Sequence, residues 1–524
     1  MNDKIIKLLD IVGSKNKYQF YLLIMLLTTS LLSCVCNLQI AFLIKYPKFI
    51  IYDKQYPNNK NENVVSYDDK YCNKTQYIMI KDYNTSVHNL AYSFNIYCEN
   101  DFYSNIMKMN IFIGGLISYI FLTSYPDKNG REKIYKIFSI LSLILQINLM
   151  LEINLIYSCL VYLFGGFVAF SYSMCFSIAA EFYSDELRGI LIGILNAIYP
   201  FGGVLLGIFF MTINNWKILY LITTILHIYP TYLTLKYFYE SPKWLITMGK
   251  KDEFFYVLNK IAKINGKDKE WEEYKKNNKD FINKLNDKNN IDKTNNNKYN
   301  KNYTILEILS FESQWNKILK IIFIFFTTNF NYYGIILNLG ILKGNFFSNS
   351  ILAFLGEMIF ELCSGYLADV YGRLTILKLG GYIGSIGFLI FRFVPYKLKS
   401  IFLFITMSGY ASQYNVSTIY SPEIFPTKIR ATCLGFLFLL NRFPPFFMIY
   451  LTIIMGDKVE YISIIFSFLA GYICNYLEET ANKPINEEIP EENNFDDKLN
   501  DKTSSNDSFK TSLLEFDIIS LKSH

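Results

Sequence analysis

Residues 369–373 read Asp-Val-Tyr-Gly-Arg, and residues 127–131 read Asp-Lys-Asn-Gly-Arg, so one Asp-x-x-Gly-Arg pattern occurs twice. Further along, Glu181 and Glu423 are each followed seven residues later by an arginine. In both motifs the second copy lies 242 residues after the first. A single pentapeptide of this kind arises easily by chance, but two motifs at one offset indicate that the chain is an internal duplication.

The chain around these motifs is poor in charge. Of its 524 residues, 52% are hydrophobic and only 18% are charged, against about 25% charged residues in soluble domains. A membrane-spanning helix needs about 20 apolar residues. We predict twelve spans, at residues 18–44, 103–124, 134–152, 155–179, 190–211, 217–238, 316–338, 346–368, 374–393, 399–420, 431–455 and 459–477. These runs exclude a soluble enzyme, and no nucleophile–base constellation indicates catalysis.

Three polar blocks interrupt the apolar runs, and the lysines and arginines of the short loops are more numerous on one side. By the positive-inside rule both termini are cytoplasmic, the first block is an outer loop and the second is a cytoplasmic linker. The linker turns into an Asn- and Lys-rich stretch with too few apolar residues to fold. The predicted parts are an N-terminal cytoplasmic helix (1–17), a six-helix half (18–246) with its outer loop (45–104), a partly disordered linker (247–315), a second six-helix half (316–477) and a disordered cytoplasmic tail (478–524).

The outer loop carries signs of an extracytoplasmic environment. Asn73 and Asn84 stand in Asn-x-Ser/Thr sequons and are candidate glycosylation sites, although an Asn-rich chain also produces sequons by chance. Cys72 and Cys98 are the two cysteines of this loop and are candidates for a disulfide in an oxidising compartment. The other seven cysteines lie in predicted spans, where we expect them to pack as apolar side chains. No Cys-x-x-Cys or His cluster indicates a metal, and we expect no cofactor.

Two six-helix halves repeated in parallel are typical of the major facilitator fold, in which substrate binds between the halves near the membrane midplane. Acidic and basic side chains at the ends of the spans can form ion pairs that hold one side of such a protein closed. The alternative is that they are solvated loop charges. The predicted gate residues are Asp127, Gly130, Arg131, Glu181 and Arg188 in the first half, and Asp369, Gly372, Arg373, Glu423 and Arg430 in the second.

Several stretches resemble one branch of this superfamily, the organic ion transporters, whose members carry organic cations, anions or carnitine. Residues 331–334 (Asn-Tyr-Tyr-Gly) are similar to the family's signature in span 7, and residues 240–245 (Glu-Ser-Pro-Lys-Trp-Leu) resemble a motif that sugar porters share. The large first outer loop and the end of the chain from about residue 477 are similar as well. The resemblance implies that Tyr332 and Tyr333 line the substrate cavity.

Three charged residues lie deep in the predicted spans: Glu357 and Glu361 in span 8, and Arg442 in span 11. A charge at a helix centre costs roughly 2.5–3.5 kcal/mol, so we expect all three to face the cavity. The two glutamates lie one helical turn apart, and Arg442 is their natural partner. The resemblance implies an anion or carnitine carrier at Arg442 and an acidic family position at Glu357. A zwitterion reconciles the signs, and a structural Glu–Arg pair is the alternative.

Polar side chains of other spans complete the predicted site. Asn37 in span 1 and Gln413 in span 10 are candidates for hydrogen bonds to substrate, and Tyr199, Tyr410 and Tyr414 are candidates for the cavity wall. Tyrosine offers a π face to cations and a hydroxyl to polar groups.

The resulting hypothesis is a secondary transporter that moves small organic ions, anions or zwitterions rather than cations, by alternating access. The expected partners are the ion, the lipid bilayer and a proton or counter-ion for coupling; nucleic acid is not expected, because the net charge of +6 resides mostly in loop lysines. We expect the plasma membrane, with an organelle membrane as the alternative. Two other functions stay open: a sugar or polyol porter, and a non-transporting membrane receptor built on a transporter fold.

Overall fold

The computed structural model describes most of the chain between residues 11 and 481. The described residues are 11–12, 16–53, 64–66, 69–72, 76–83, 86–123, 125–151, 153–183, 185–213, 215–277, 308, 312–339, 342 and 345–481. Most of the predicted N-terminal helix, the low-complexity part of the linker and nearly all of the tail lie outside these residues.

Each of the twelve predicted spans coincides with a helix or a broken helix. The bounds are Lys17–Leu38 with Ile40–Leu43 (span 1), Phe102–Leu122 (2), Arg131–Leu149 (3), Leu155–Val168 with Phe170–Phe182 (4), Asp185–Thr212 (5), Trp216–Tyr237 (6), Glu312–Leu337 (7), Phe346–Tyr371 (8), Arg373–Phe393 (9), Lys399–Ile424 (10), Thr427–Leu440 with Pro444–Met455 (11) and Val459–Ile473 (12). Among the described residues, ten helical stretches are long and apolar enough to cross a membrane. Spans 3 and 10 are not among them, so their crossing and the side of each terminus stay predictions.

The two halves meet mainly through spans 5 and 8. An added Cβ at Gly203 would lie 2.6 Å from the ring of Phe354, and one at Gly207 would lie 2.7 Å from Ile351 Cγ1. Only residues without a side chain allow the helices to approach this closely. The two glycines therefore set the distance between the halves along this contact.

The first polar block forms a small domain, here called the cap (residues 46–101). Its antiparallel sheet consists of β1 (Phe49–Asp53), β2 (Val64–Val65) and β3 (Tyr77–Lys81), in the order β2-β1-β3. A disulfide joins Cys72 to Cys98. The Asn89 amide donates to the carbonyl oxygens of Phe42 and Lys45, each at 2.8 Å. The cap is thus fastened to the last turn of span 1.

Helices at the start of the second polar block lie at the opposite end of span 1. They are Pro242–Thr247, Lys251–Asn265 and Asp268–Asn277. The amphipathic pattern of the second helix buries Phe254, Leu258 and neighbouring residues against the first half. The Asn265 side chain accepts a hydrogen bond from the backbone N–H of Tyr18 at 2.9 Å. We call this end of the molecule the linker side and the opposite end the cap side.

Candidate functional site

A cavity of about 150 Å³ lies between the two halves. Both halves contribute to its wall, and the side chains in it are mainly aromatic and polar rather than aliphatic. Seven tyrosines line it: Tyr119, Tyr172, Tyr199, Tyr332, Tyr333, Tyr410 and Tyr414. Four asparagines also line it: Asn37, Asn196, Asn329 and Asn441. This wall offers hydroxyls, amides and π faces to a polar organic molecule.

Glu357 and Glu361 bring two carboxyl groups into this cavity from one face of span 8. Their residues are only 6% and 7% exposed. The Oε2 atoms of both carboxylates are buried and accept no hydrogen bond from the described residues. Neither carboxylate forms an ion pair there. Two unpaired carboxylates one helical turn apart repel each other, so this face of the cavity attracts a cationic group or a proton.

Arg442 lies in the break between the two helices of span 11, and it does not pair with the glutamates. The expected Glu–Arg bridge between spans 8 and 11 is therefore wrong for this structure. The guanidinium carbon instead lies 4.1 Å from the ring centroid of Tyr119, in span 2 of the other half. The break before Pro444 and Pro445, which terminates the first helix, turns Arg442 toward span 2 instead of span 8.

Most of the residues predicted for substrate binding come together in this cavity. Glu357, Glu361, Arg442, Asn37 and the five predicted tyrosines all line it. Gln413 does not: it is fully buried and donates from Nε2 to the carbonyl oxygen of Leu377 at 3.4 Å, between spans 10 and 9. The prediction that Gln413 binds substrate is corrected accordingly, because Gly380 and Gly381 of span 9 make room for its side chain there.

Sequence reasoning missed Tyr119, Tyr172, Asn196 and two asparagines that contact each other. The Asn329 amide donates to Asn441 Oδ1 at 2.6 Å, linking spans 7 and 11 at the cavity wall. With 42 tyrosines in the chain, no local pattern singled out Tyr119 or Tyr172. The asparagines did carry a usable sequence signal, since an amide within an apolar run normally needs a partner.

Aromatic rings on the cap side form a second contact between the two halves. Phe42 of span 1 contacts Phe346 of span 8 with ring centroids 5.2 Å apart. The Lys45 ammonium lies over the rings of Phe346 and Phe347, at 4.3 Å and 4.2 Å from their centroids. Burial, together with the charge of Lys48, lowers the pKa of Lys45 to about 8, so the side chain is still mostly charged at pH 7. These contacts join the first half to the second.

Ion pairs of the duplicated motifs lie on the linker side. Arg373 donates through Nε and Nη2 to the two carboxylate oxygens of Glu423, at 3.3 Å and 3.2 Å, and it also pairs with Asp369. In the first half, Arg131 Nη2 lies 2.7 Å from Glu181 Oε1. Each of these pairs stays within one half, so these pairs do not themselves join the halves as the gate hypothesis expected.

The side chains of the remaining predicted gate and glycosylation residues lie outside the described part of the chain. The side chains of Asp127, Arg188 and Arg430 and the sequon residues Asn73 and Asn84 lie outside what the structure describes. Among the described residues, no group of three or more His, Cys, Asp and Glu side chains is arranged to hold a metal ion.

The structure explains why each Asp-x-x-Gly-Arg motif has glycine at its fourth position. Gly130 and Gly372 have φ angles of 94° and 96°, which favour glycine. Glu240 then accepts from the backbone N–H groups of Arg131 and Glu132 at 2.8 Å and 3.0 Å. A Cβ at Gly130 would lie only 2.2 Å from Glu240 Oε2. Glycine therefore lets a carboxylate cap the N-terminus of span 3.

The second half repeats this arrangement. The Glu479 carboxylate accepts from the backbone N–H groups of Arg373 and Leu374, both at 3.0 Å. A Cβ at Gly372 would lie 2.8 Å from Glu479 Oε2. Glu240 and Glu479 are thus equivalent residues of the duplication, and each connects the chain after the last span of its half back to the Asp-x-x-Gly-Arg motif.

Comparison with known proteins identifies similar chains. The family model "Sugar (and other) transporter" matches residues 27–488. The organic cation transporter protein of Drosophila melanogaster is 24% identical over 456 residues, which cover 83% of this chain and 81% of that protein. The human organic cation/carnitine transporter 2 is 24% identical over 361 residues, which cover 65% of this chain and 60% of that protein. An inward-open structure of the E. coli xylose transporter XylE matches with a TM-score of 0.60 at 13% identity, covering 89% of this chain and 97% of XylE.

Proposed function

The chain belongs to the sugar (and other) transporter family, a family of the major facilitator superfamily, and from that premise we propose that it carries small organic ions across a membrane by alternating access. That it is a multi-pass membrane protein resembling the organic ion transporters follows from the family, the relatives and the ten apolar helices. The observation that carries the finer proposal is the charge inside the cavity. A site for neutral sugars has no need of three charged side chains, each of which is costly to bury.

We assign the substrate to the zwitterions. Glu357 and Glu361 offer negative charge on span 8, and Arg442 offers positive charge on span 11, without an ion pair between them in the described residues. A molecule with a cationic and an anionic end would contact both sides, and the tyrosine rings would cover the cationic group. The human relative named for organic cations and carnitine supports this proposal, because carnitine is a zwitterion; the Drosophila relative is named for organic cations alone.

Uptake into proteoliposomes tests the proposal. The purified full chain would be reconstituted and offered radiolabelled zwitterions, organic cations, organic anions and sugars in parallel. We expect saturable uptake of a zwitterion, and Arg442→Ala should abolish it. Arg392→Ala is the matched control, because Arg392 pairs with Glu460 at the cap-side end of span 9, outside the cavity. Unchanged zwitterion uptake by Arg442→Ala would refute the site assignment.

A sugar or polyol porter is the second candidate, and a specific observation favours it. The four asparagines of the cavity wall are side chains that can hydrogen-bond hydroxyl groups in both directions. Uptake of a sugar together with no uptake of any organic ion would establish this alternative. Specific binding of an organic ion without uptake would instead favour a receptor.

Coupling to protons is the remaining part of the proposal. Glu357 and Glu361 are the groups in the cavity that can exchange a proton as the substrate site changes its exposure. A pH gradient across the proteoliposome should then drive substrate accumulation in the wild type. Glu361→Gln should lose the accumulation while still equilibrating substrate, and retention of full accumulation by this variant would refute the assignment.

A further inference from the structure

The contact between Arg442 and Tyr119 joins the two halves in the wall of the cavity. Arg442 belongs to the second half and Tyr119 to the first, and both side chains line the cavity. The guanidinium carbon lies 4.1 Å from the ring centroid, which is within the range of a cation–π interaction. No sequence motif marks Tyr119.

The Tyr119 ring contacts the flat face of the guanidinium, whereas the N–H donors lie along its edge. The five N–H donors of arginine lie in the plane of the group, so a ring stacked on the face does not block them. In the described part of the chain no carboxylate forms an ion pair with Arg442, and its side chain has a hydrogen bond with Tyr119 beside the ring contact, which leaves its other N–H donors for a ligand. The edge therefore remains able to bind a carboxylate with two parallel hydrogen bonds.

A long arginine side chain needs support to present this edge in one orientation. Arginine has many rotamers, and each ordered side chain loses that freedom at some cost in affinity. Arg442 lies in the helix break of span 11, between Leu440 and Pro444. The Tyr119 ring is itself held edge-on against Phe170, with the centroids 5.6 Å apart. It is a fixed surface against which the guanidinium can be ordered.

We propose that Tyr119 is a positioning residue that confers specificity for substrates with a carboxylate, by holding the Arg442 guanidinium so that its donors face the cavity. This inference rests on the proposed function, since it assumes that Arg442 receives the anionic end of the substrate. Because the ring and the guanidinium belong to different halves, the carboxylate site is complete only in conformations that bring them together.

The test compares two ligands that share a quaternary ammonium group and differ in the carboxylate. Carnitine carries a carboxylate and choline does not. Equilibrium binding of both would be measured on the purified full chain for wild type, Tyr119→Leu and Tyr119→Phe. Loss of a cation–π contact should weaken carnitine binding by Tyr119→Leu roughly two- to thirtyfold. Tyr119→Phe keeps the ring but loses the hydroxyl, so it should weaken carnitine binding less than Tyr119→Leu does, and choline binding should be the same in all three proteins.

Two further variants separate a positioning role from a structural one. Tyr103→Leu removes a tyrosine from the same helix outside the cavity wall and should leave the binding of both ligands unchanged. In an Arg442→Ala background, Tyr119→Leu should have no additional effect on carnitine, because its effect acts through Arg442.

The outcomes are distinct. Equal weakening of carnitine and choline by Tyr119→Leu would show a structural role and overturn the inference. Tighter carnitine binding would show that the ring competes with the carboxylate, and this too would overturn it. Normal wild-type binding with an unaffected Tyr119→Leu overturns the inference alone, whereas a wild-type protein that binds and carries no organic ion overturns the proposed function itself.

Discussion

The carboxylate of Glu479 permits a sharp test of how the duplicated joints are stabilised. It accepts the backbone N–H groups of Arg373 and Leu374, which have no partner within their own helix, each at 3.0 Å. The perturbation is Glu479→Gln, which removes the charge and one of the two accepting oxygens while keeping the size of the side chain. At least one of the two N–H groups then loses its acceptor.

The size of the effect follows from these contacts. A hydrogen bond to a charged group contributes about 1.5–3 kcal/mol, and a negative charge at a helix N-terminus contributes about 0.3–1 kcal/mol. Glu479 is only partly buried, so the lower end applies, and we expect a loss of about 1.5 kcal/mol. That corresponds to roughly tenfold faster local opening of the first turn of span 9.

Hydrogen–deuterium exchange followed by mass spectrometry measures this opening directly. Peptides that contain the backbone amides of Arg373 and Leu374 should exchange about tenfold faster in Glu479→Gln than in the wild type. The neighbouring variant Glu478→Gln is the control, because the Glu478 side chain is 71% exposed and pairs with Lys317, away from the start of span 9. If the two variants exchanged equally at this helix start, the capping argument would be wrong.

The same residue gives a pH dependence. Partial burial on its own would raise the pKa of Glu479, but the N–H donors of Ala481, Leu374, Arg373 and Thr480 outweigh it and lower the pKa below the ordinary value of 4.5. A group with a lowered pKa stabilises the folded state fully above its unfolded pKa and less as the pH falls through its folded pKa. Protection of the span 9 start should therefore be complete above the ordinary value of 4.5 and decline as the pH falls through the lowered pKa of Glu479. Glu479→Gln should lack this decline.

Three other substitutions test the fold and the gate. Gly203→Ala places a methyl group 2.6 Å from the Phe354 ring. This should destabilise the contact between spans 5 and 8 by about 1–3 kcal/mol and increase cysteine labelling at that contact. Gly193→Ala, with no atom within 4 Å of its new methyl group, should behave like the wild type. Cys72→Ser opens a loop with a sequence separation of 26 and should lower cap stability by up to about 3.5 kcal/mol, seen as faster proteolysis of the cap, and unchanged proteolysis would argue against the disulfide. Arg373→Ala removes the linker-side ion pairs of the second half and should slow uptake about tenfold or more while leaving substrate affinity within about twofold; lost affinity would speak against a gating role.

The duplication could be predicted from the sequence because its motifs are short, charged and separated by a constant offset. Hydrophobic runs placed each of the twelve predicted spans on a helix or a broken helix, since a continuous apolar stretch has few folded alternatives. What the runs could not give was the break at Arg442. Its two prolines follow it at residues 444 and 445, where the second helix of span 11 begins.

For the candidate site, the sequence predicts which charged residues line the cavity but not which residues they contact. Glu357, Glu361 and Arg442 could be found because charge in an apolar span is costly, and the structure indeed places them at the cavity. Their pairing could not, because the partner of Arg442 depends on the packing of span 2 against span 11. Gln413 was misplaced for the same reason, since two glycines of span 9 decide where its amide fits.

The attachment of the cap has a practical consequence. The Asn89 amide fixes it to span 1, and the backbone N–H of Trp216, at the start of span 6, reaches the carbonyl oxygen of His88 at 3.5 Å. Both anchors belong to the same half, so any rotation of that half relative to the other carries the sheet with it. A dye on β3 and a second dye in the turn at residues 394–398 of the other half would report the rocking of single molecules as a change in distance, read entirely from one side of the membrane.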